Sequence, residues 1–302
     1  MGLLRNLRHK LRRSLLPSQL WNDLESLRLT QAKILIELNR AKNPQPIQDC
    51  EFKVFSQWGE DGIIQKLIQH VPIANTTFIE FGVEDFAEAN CRFLLMNNHW
   101  RGFVIDGSSE RIATLRKSSW WWKYELQAEC AFITRESVND LLQRSGFESD
   151  IGILSIDVDG VDYWLMEAIT AYSPRILIVE YNSLFGPDRK ISVPYDAAFS
   201  RRAKHFSELY YGASLPALTY LAAQKGYSLV GTESAGVNAF FVRNDVIGNL
   251  KALTAAEGYT EAFIRQSRDE TGKLNYLSGA ARDAAIKGLP VVNVETGEME
   301  QY

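Results

Sequence analysis

The chain has 302 residues, 46% of them hydrophobic, and a net charge of -4. That is enough for one large domain or a domain with an appendage, and too mildly acidic for general affinity to nucleic acid. Its three cysteines, Cys50, Cys91 and Cys130, show no C-x-x-C spacing, which argues against a structural zinc site or a disulfide framework and fits a reducing compartment.

No apolar run reaches the roughly 18–20 residues of a membrane span. The basic start is followed by more charge instead of the apolar core of a signal peptide, so the expected setting is the cytoplasm. The opening stretch, MGLLRNLRHKLRR, carries five Lys/Arg and no acid, with Leu4, Leu7, Leu11 and Leu15 at helical spacing. Either this helix lies on an anionic membrane surface, giving residues 1–16 a peripheral membrane contact, or it is a cationic arm packed on protein. After Pro17, Leu20, Leu24, Leu27, Ile34 and Leu38 form a heptad-like stripe that either pairs two chains into a homodimer or lies across the main domain. Asn43-Pro44-Gln45-Pro46 breaks the helix. The expected organisation is a helical extension over 1–46, an α/β domain over 47–245 and a helical C-terminal segment over 246–302.

Phe55-Ser56-Gln57-Trp58-Gly59-Glu60-Asp61-Gly62 is polar and glycine-rich and leads into an amphipathic helix with Ile63, Ile64, Leu67 and Ile68. It reads either as helix-start chemistry or as a loop folded over a ligand. Thr77-Phe78-Ile79-Glu80-Phe81-Gly82 is the first strand of an open parallel sheet and the turn leaving it, where doubly wound folds bind nucleotides. Gly82, without a Cβ, lets the backbone approach a ligand, and Glu80 sets a carboxylate at the strand tip. A crossover helix at Asn90 to Leu95 comes next. The second strand, Arg101 to Asp106, ends in an acid 24 residues after Gly82, a spacing that sets two carboxylates side by side where such folds hold a ribose. Trp120-Trp121-Trp122 cannot all face inward and reads as a surface segment.

Glu129 to Ile133 is a third strand, and Glu136 and Ser137 then open a helix. Ile151 to Ile156 is a continuous apolar run, as a central strand buried on both faces requires, and it ends in Asp157, Asp159 and Asp162. Carboxylates so close repel unless a cation, a substrate or donors compensate. Arg175 to Val179 repeats the pattern and ends in Glu180-Tyr181-Asn182. A polar loop through Tyr195 and Arg201 to His205 leads to a helix from Leu215, with Pro216 in its first turn. The strands Tyr227 to Thr232 and Asn238 to Arg243 are joined by a loop too short for a parallel crossover, so they form an antiparallel hairpin.

This series, an α/β Rossmann-like sheet of seven strands closed by an antiparallel hairpin, resembles the class I S-adenosylmethionine-dependent methyltransferase fold over roughly residues 52 to 243. Glu80-Phe81-Gly82 is similar to that family's first motif, although Asp85-Phe86-Ala87-Glu88 stand where a second glycine is usual. The resemblance implies S-adenosyl-L-methionine as cofactor, with Asp106 on the ribose, Glu136 and Ser137 near the adenine, and Asp157 facing the methionine part. The segment Ser56 to Gly62, the Asn90 helix and Ile156-Asp157-Val158-Asp159-Gly160 resemble the FkbM-like branch, which adds Gln57 and Asn90 to the cofactor contacts. That branch implies O-methylation of a hydroxyl on a glycan or sugar-bearing small molecule.

A sugar hydroxyl needs a base or a metal at neutral pH. Asp159 and Glu180 are the strand-end candidates for the base, and His205 is a third. Asp159, Glu180 and Asn182 offer three oxygen ligands to Mg²⁺ or another divalent cation; the alternative is that the acids bind acceptor hydroxyls without metal. Two other readings remain: a degenerate scaffold working through its N-terminal helix, and a nicotinamide-dependent oxidoreductase, against which the missing G-x-G-x-x-G and the terminal hairpin speak.

Overall fold

A computed structural model describes residues 18–302; the basic segment 1–16 and its expected membrane contact lie outside the described residues. The chain divides into two compact units at Asn43/Pro44. The described part of the first is the helix Ser18–Lys42, and its Leu20, Leu24, Leu27, Ile34 and Leu38 are exposed. Asn43 closes it in the left-handed conformation, just before Pro44, which cannot continue a helix. Among the described residues no helix is long and apolar enough to cross a membrane.

The second unit is built on the seven-stranded sheet expected from the sequence. Its first five strands are β1 (Thr77–Phe81), β2 (Arg101–Asp106), β3 (Leu126–Cys130), β4 (Ile153–Ile156) and β5 (Ile176–Glu180). A short strand outside this sheet, β6 (Ile191–Ser192), precedes the last two, β7 (Tyr227–Thr232) and β8 (Asn238–Arg243). The order is β3-β2-β1-β4-β5-β8-β7. The first five strands run parallel, and β8 lies antiparallel to both β5 and β7. Strand order therefore reverses between β1 and β4, and the carboxyl ends of these two strands flank the crevice where open α/β sheets bind ligands. β1, β4 and β5 are buried along their whole length, as central strands covered on both faces must be. One core cluster holds Ile79, Leu154 and Leu177, and the other Phe78, Ile153 and Ile176. Side chains alternate between faces, so consecutive residues feed opposite cores.

Two expectations are corrected. β3 begins at Leu126, three residues earlier than the sequence suggests, because it is Leu126 that is buried against β2, in register with Gly102. Phe132 and Ile133 thus leave the strand. The three tryptophans do form a surface segment, with Trp120 and Trp121 partly packed on the second core cluster and Trp122 exposed. Residues 246–302 are not a separate helical segment. They belong to the same unit as the sheet, and besides short helices they supply β9 (Pro290–Asn293) and β10 (Met299–Gln301). These pair with β6 in a small antiparallel sheet, order β10-β9-β6. Val291 and Val292 suit a strand, and Thr296-Gly297 supplies the turn.

Candidate active site

At the tip of β1 the chain turns at Gly82, whose φ is +71°. A Cβ there would lie 1.6 Å from the carbonyl oxygen of Asp157. The glycine is required by contact with the neighbouring strand's exit, an intramolecular reason different from approach to a ligand. Glu80 is buried, and both its oxygens accept backbone N–H groups: Asn90 N at 2.7 Å and Cys91 N at 3.0 Å. Burial pushes its carboxyl up to about 7 even so. Asn90 itself donates to Ser155 Oγ at 3.2 Å. Glu80 thus holds the loop after β1 onto the sheet.

Asp106, at the tip of β2, is used similarly. Its oxygens accept from Glu84 N at 2.8 Å and Ser108 N at 2.7 Å, tying together the loops after β1 and β2. A carboxylate oxygen has two acceptor directions, so Asp106 keeps capacity for ligand hydroxyls. Beside it, a Cβ on Gly107 would stand 3.4 Å from the Phe132 ring, and Phe132 is 62% exposed. An exposed aromatic face at the neighbouring strand tip suits stacking with a planar ring. Sequence reasoning missed Phe132 because it extended β3 through Ile133 and so placed the ring inside a strand. Glu136 instead accepts from Tyr195 Oη at 2.8 Å, which holds its carboxyl below the usual range. Ser137 Oγ accepts from Thr134 N at 3.0 Å in a local turn. Gln57 is exposed, and its carbonyl oxygen accepts from Lys53 Nζ at 2.6 Å.

The tips of β4 and β5 differ. Asp157, Asp162 and Glu180 each offer a carboxylate oxygen within 4.8 Å of the others. Asp162 is committed, accepting from Val158 N at 2.8 Å and Gly160 N at 3.0 Å, and burial raises it to about 6. Glu180 is 6% exposed, and its Oε2 is enclosed with no hydrogen-bond partner. Burial, then the charges of its acidic neighbours, push both Asp157 and Glu180 well above the carboxylate range.

The trio that converges is therefore not Asp159, Glu180 and Asn182. Asp159 adopts a left-handed conformation, φ +58°, within the turn that Asp162 holds. This turns its side chain outward, 66% exposed, to pair with Arg201 at 2.9 Å. Asn182 is spent on its own loop. Its amide nitrogen donates to the carbonyls of Leu209 and Tyr211, each at 3.0 Å, and its oxygen accepts from Leu184 N at 3.1 Å. Arg201 lies 3.7 Å over the Tyr211 ring. Burial and the charge of Glu180 raise the Tyr211 hydroxyl, which places Tyr211 and Arg201 at the edge of the acid cluster. His205 faces its own loop: Nδ1 lies 2.7 Å from Ser207 Oγ, the ring packs on Phe206, and burial lowers its pKa.

No family model matches the chain, and no curated protein matches it. Several solved structures resemble it at low identity. The CurJ carbon methyltransferase is 12% identical, with 60% of this chain and 52% of that one covered and a TM-score of 0.38. PKMT2 from Rickettsia typhi in complex with AdoHcy is 11% identical, with 63% and 54% covered and a TM-score of 0.43. An S-adenosylmethionine-dependent methyltransferase from Clostridium acetobutylicum is 8% identical, with 71% and 98% covered and a TM-score of 0.39. The match spans about half the length of the first two chains and nearly all of the third.

Proposed function

We propose that the protein is an S-adenosyl-L-methionine-dependent O-methyltransferase acting on a hydroxyl of a glycan or sugar-bearing small molecule. The observation that carries this reading is the unequal provision along one row of strand tips. At β2 and β3, Asp106 and Phe132 offer hydroxyl acceptors and an aromatic face, as a nucleoside requires. Across the β1/β4 crevice, Asp157 is partly exposed and close to Glu180, and Glu180 keeps one enclosed oxygen without a hydrogen-bond partner.

When bound, the cofactor supplies a methyl group on a sulfonium, which the acceptor oxygen displaces in line, the sulfur keeping the electron pair. The chain's part is to hold the acceptor hydroxyl and take its proton. Glu180 and Asp157 suit this, because burial and acidic neighbours make both more basic than an ordinary carboxylate, the direction a general base requires. Asp159 and His205, turned to Arg201 and Ser207, give up that role. Asp157, Asp162 and Glu180 also fit a divalent cation: oxygen-only donors, close together, one of them orphaned and buried. Such a cation would lower the pKa of a bound hydroxyl.

The test is thermal unfolding with S-adenosylhomocysteine, with and without Mg²⁺, against NADH as control. Binding to the native state raises apparent stability, by about 2.7 kcal/mol at 100-fold excess over Kd. A shift with S-adenosylhomocysteine alone supports the class, and a further shift with Mg²⁺ supports the cation. A shift with NADH, or none with S-adenosylhomocysteine, overturns the reading.

A further inference from the structure

Beside Glu180, further polar atoms lack partners. Asn238 opens β8 in register with Glu180 at the end of β5, and residues paired across antiparallel strands share a face. Asn238 is 3% exposed. Its amide nitrogen donates to Glu60 Oε1 at 2.9 Å, so the remaining atom is its oxygen, enclosed and unpartnered like Glu180 Oε2. The other oxygen of Glu60 accepts the backbone N–H groups of Trp58 and Gly59, each at 2.8 Å. Trp58 Nε1 is also enclosed without an acceptor.

The loop carrying Trp58 is anchored on the β7–β8 turn, where Glu51 accepts from Ser234 N and Ser234 Oγ, each at 2.6 Å. The segment after Gly258 covers the exit of β5. Tyr181 Oη donates to Thr260 O at 2.6 Å, and Ala262 N donates to Ser183 Oγ at 3.0 Å. The next residue, Phe263, meets the Trp58 ring edge to face at 5.6 Å while remaining 63% exposed. Two unpartnered acceptors thus lie at the exit of β5, and the Trp58–Phe263 pair with its free indole N–H adjoins them through Glu60 and the segment after Gly258.

We propose that Trp58, Asn238 and Phe263 form the acceptor subsite of the proposed methyltransferase, and that it selects a polyhydroxylated ring. The inference rests on the methyltransferase reading above. Buried polar atoms left unpaired are costly, so a ligand that binds here supplies both donors and an acceptor. A metal ion or an ammonium meets the two oxygens but not the indole N–H. Adjacent hydroxyls meet all three, and the C–H face of a sugar ring lies against aromatic surface. A site built to hydrogen-bond several hydroxyls discriminates against an alcohol lacking them.

The experiment tracks labelled methyl transfer from S-adenosylmethionine by the full chain to a panel of methyl hexopyranosides, with cyclohexanol as the one-hydroxyl ring control. Trp58→Phe keeps the ring and removes the N–H; Phe263→Ala alters an exposed residue, so folding is preserved. Transfer to a glycoside and not to cyclohexanol is expected, with Trp58→Phe raising the glycoside KM about tenfold and Phe263→Ala about fivefold, kcat and S-adenosylhomocysteine affinity staying within about twofold. Equal methylation of cyclohexanol, unchanged KM in both variants, or S-adenosylhomocysteine binding with no glycoside methylated overturns the subsite. Absence of S-adenosylhomocysteine binding overturns the cofactor reading beneath it.

Discussion

The tips of β1 and β2 and those of β4 and β5 carry the same kind of side chain and use it in opposite ways. Glu80 and Asp106 have every oxygen engaged by a backbone N–H of an adjoining loop; they are fasteners. Asp157 accepts no hydrogen bond from any described residue, and Glu180 keeps an enclosed oxygen unpaired. The difference lies in the loop that leaves each strand. After β1 and β2 the loops fold back with their N–H groups toward the acid. After β4 it is Asp162 that caps the turn, and after β5 it is Asn182 that braces the loop, so Asp157 and Glu180 are left over. A carboxylate that fastens contributes to stability, whereas one left unsatisfied costs stability and is available to a ligand.

The largest expected effect lies where the two halves touch. Gly82→Ala places a Cβ on the Asp157 carbonyl in a left-handed turn, and a loss of more than ~4 kcal/mol, or failure to fold, is expected in urea unfolding. A wild-type midpoint would show that the two tips can separate. Next, Glu80→Ala and Glu180→Gln should move stability in opposite directions: the first costs about 3 kcal/mol through two abandoned N–H groups, and the second gains about 1 kcal/mol by removing a buried acid that keeps an unpaired oxygen. Glu180→Gln should at the same time lower methyl transfer about 10²-fold or more. A matching loss of stability in both variants would erase the contrast.

The pH dependence sharpens it further. Glu233, buried in the β7–β8 turn, accepts the backbone N–H groups of Val237 and Asn238, and burial pushes Glu80 up to about 7 and Glu233 up to about 8 in the folded chain, above their ordinary 4.5. Between those values the native state binds more protons than the unfolded one, so stability is highest below the ordinary value and falls as pH rises toward 8. The ligand-free Tm should therefore decline from pH 5 to 8. Glu233→Gln should flatten the upper part of that decline, and a Tm that rises across this range would contradict the assignment. The smallest effect is expected at Phe132→Ala: about tenfold weaker S-adenosylhomocysteine binding by calorimetry, with Tm unchanged, because the ring is largely exposed.

The alternation of apolar runs with acids and turns was enough to read the sheet, the hairpin and the strand-tip row from Glu80 to Glu180, because buried parallel strands leave continuous apolar segments and their exits leave polar ones. Gly82 and Asp106 were legible as special positions, though not the Asp157 carbonyl that Gly82 must clear. The sequence could not distribute roles among neighbouring acids. Asp157, Asp159 and Asp162 look alike in one dimension. One left-handed residue and two backbone N–H groups decide that Asp159 points to Arg201, Asp162 caps the turn and Asp157 stays unsatisfied. Nor could it bring Trp58, Asn238 and Phe263 together across about two hundred residues, or recruit the C-terminal strands to β6. Local pattern determines which segments are strands and where their acids fall. Which of those acids keeps a free oxygen depends on where the loop N–H groups go, and tertiary packing alone settles that.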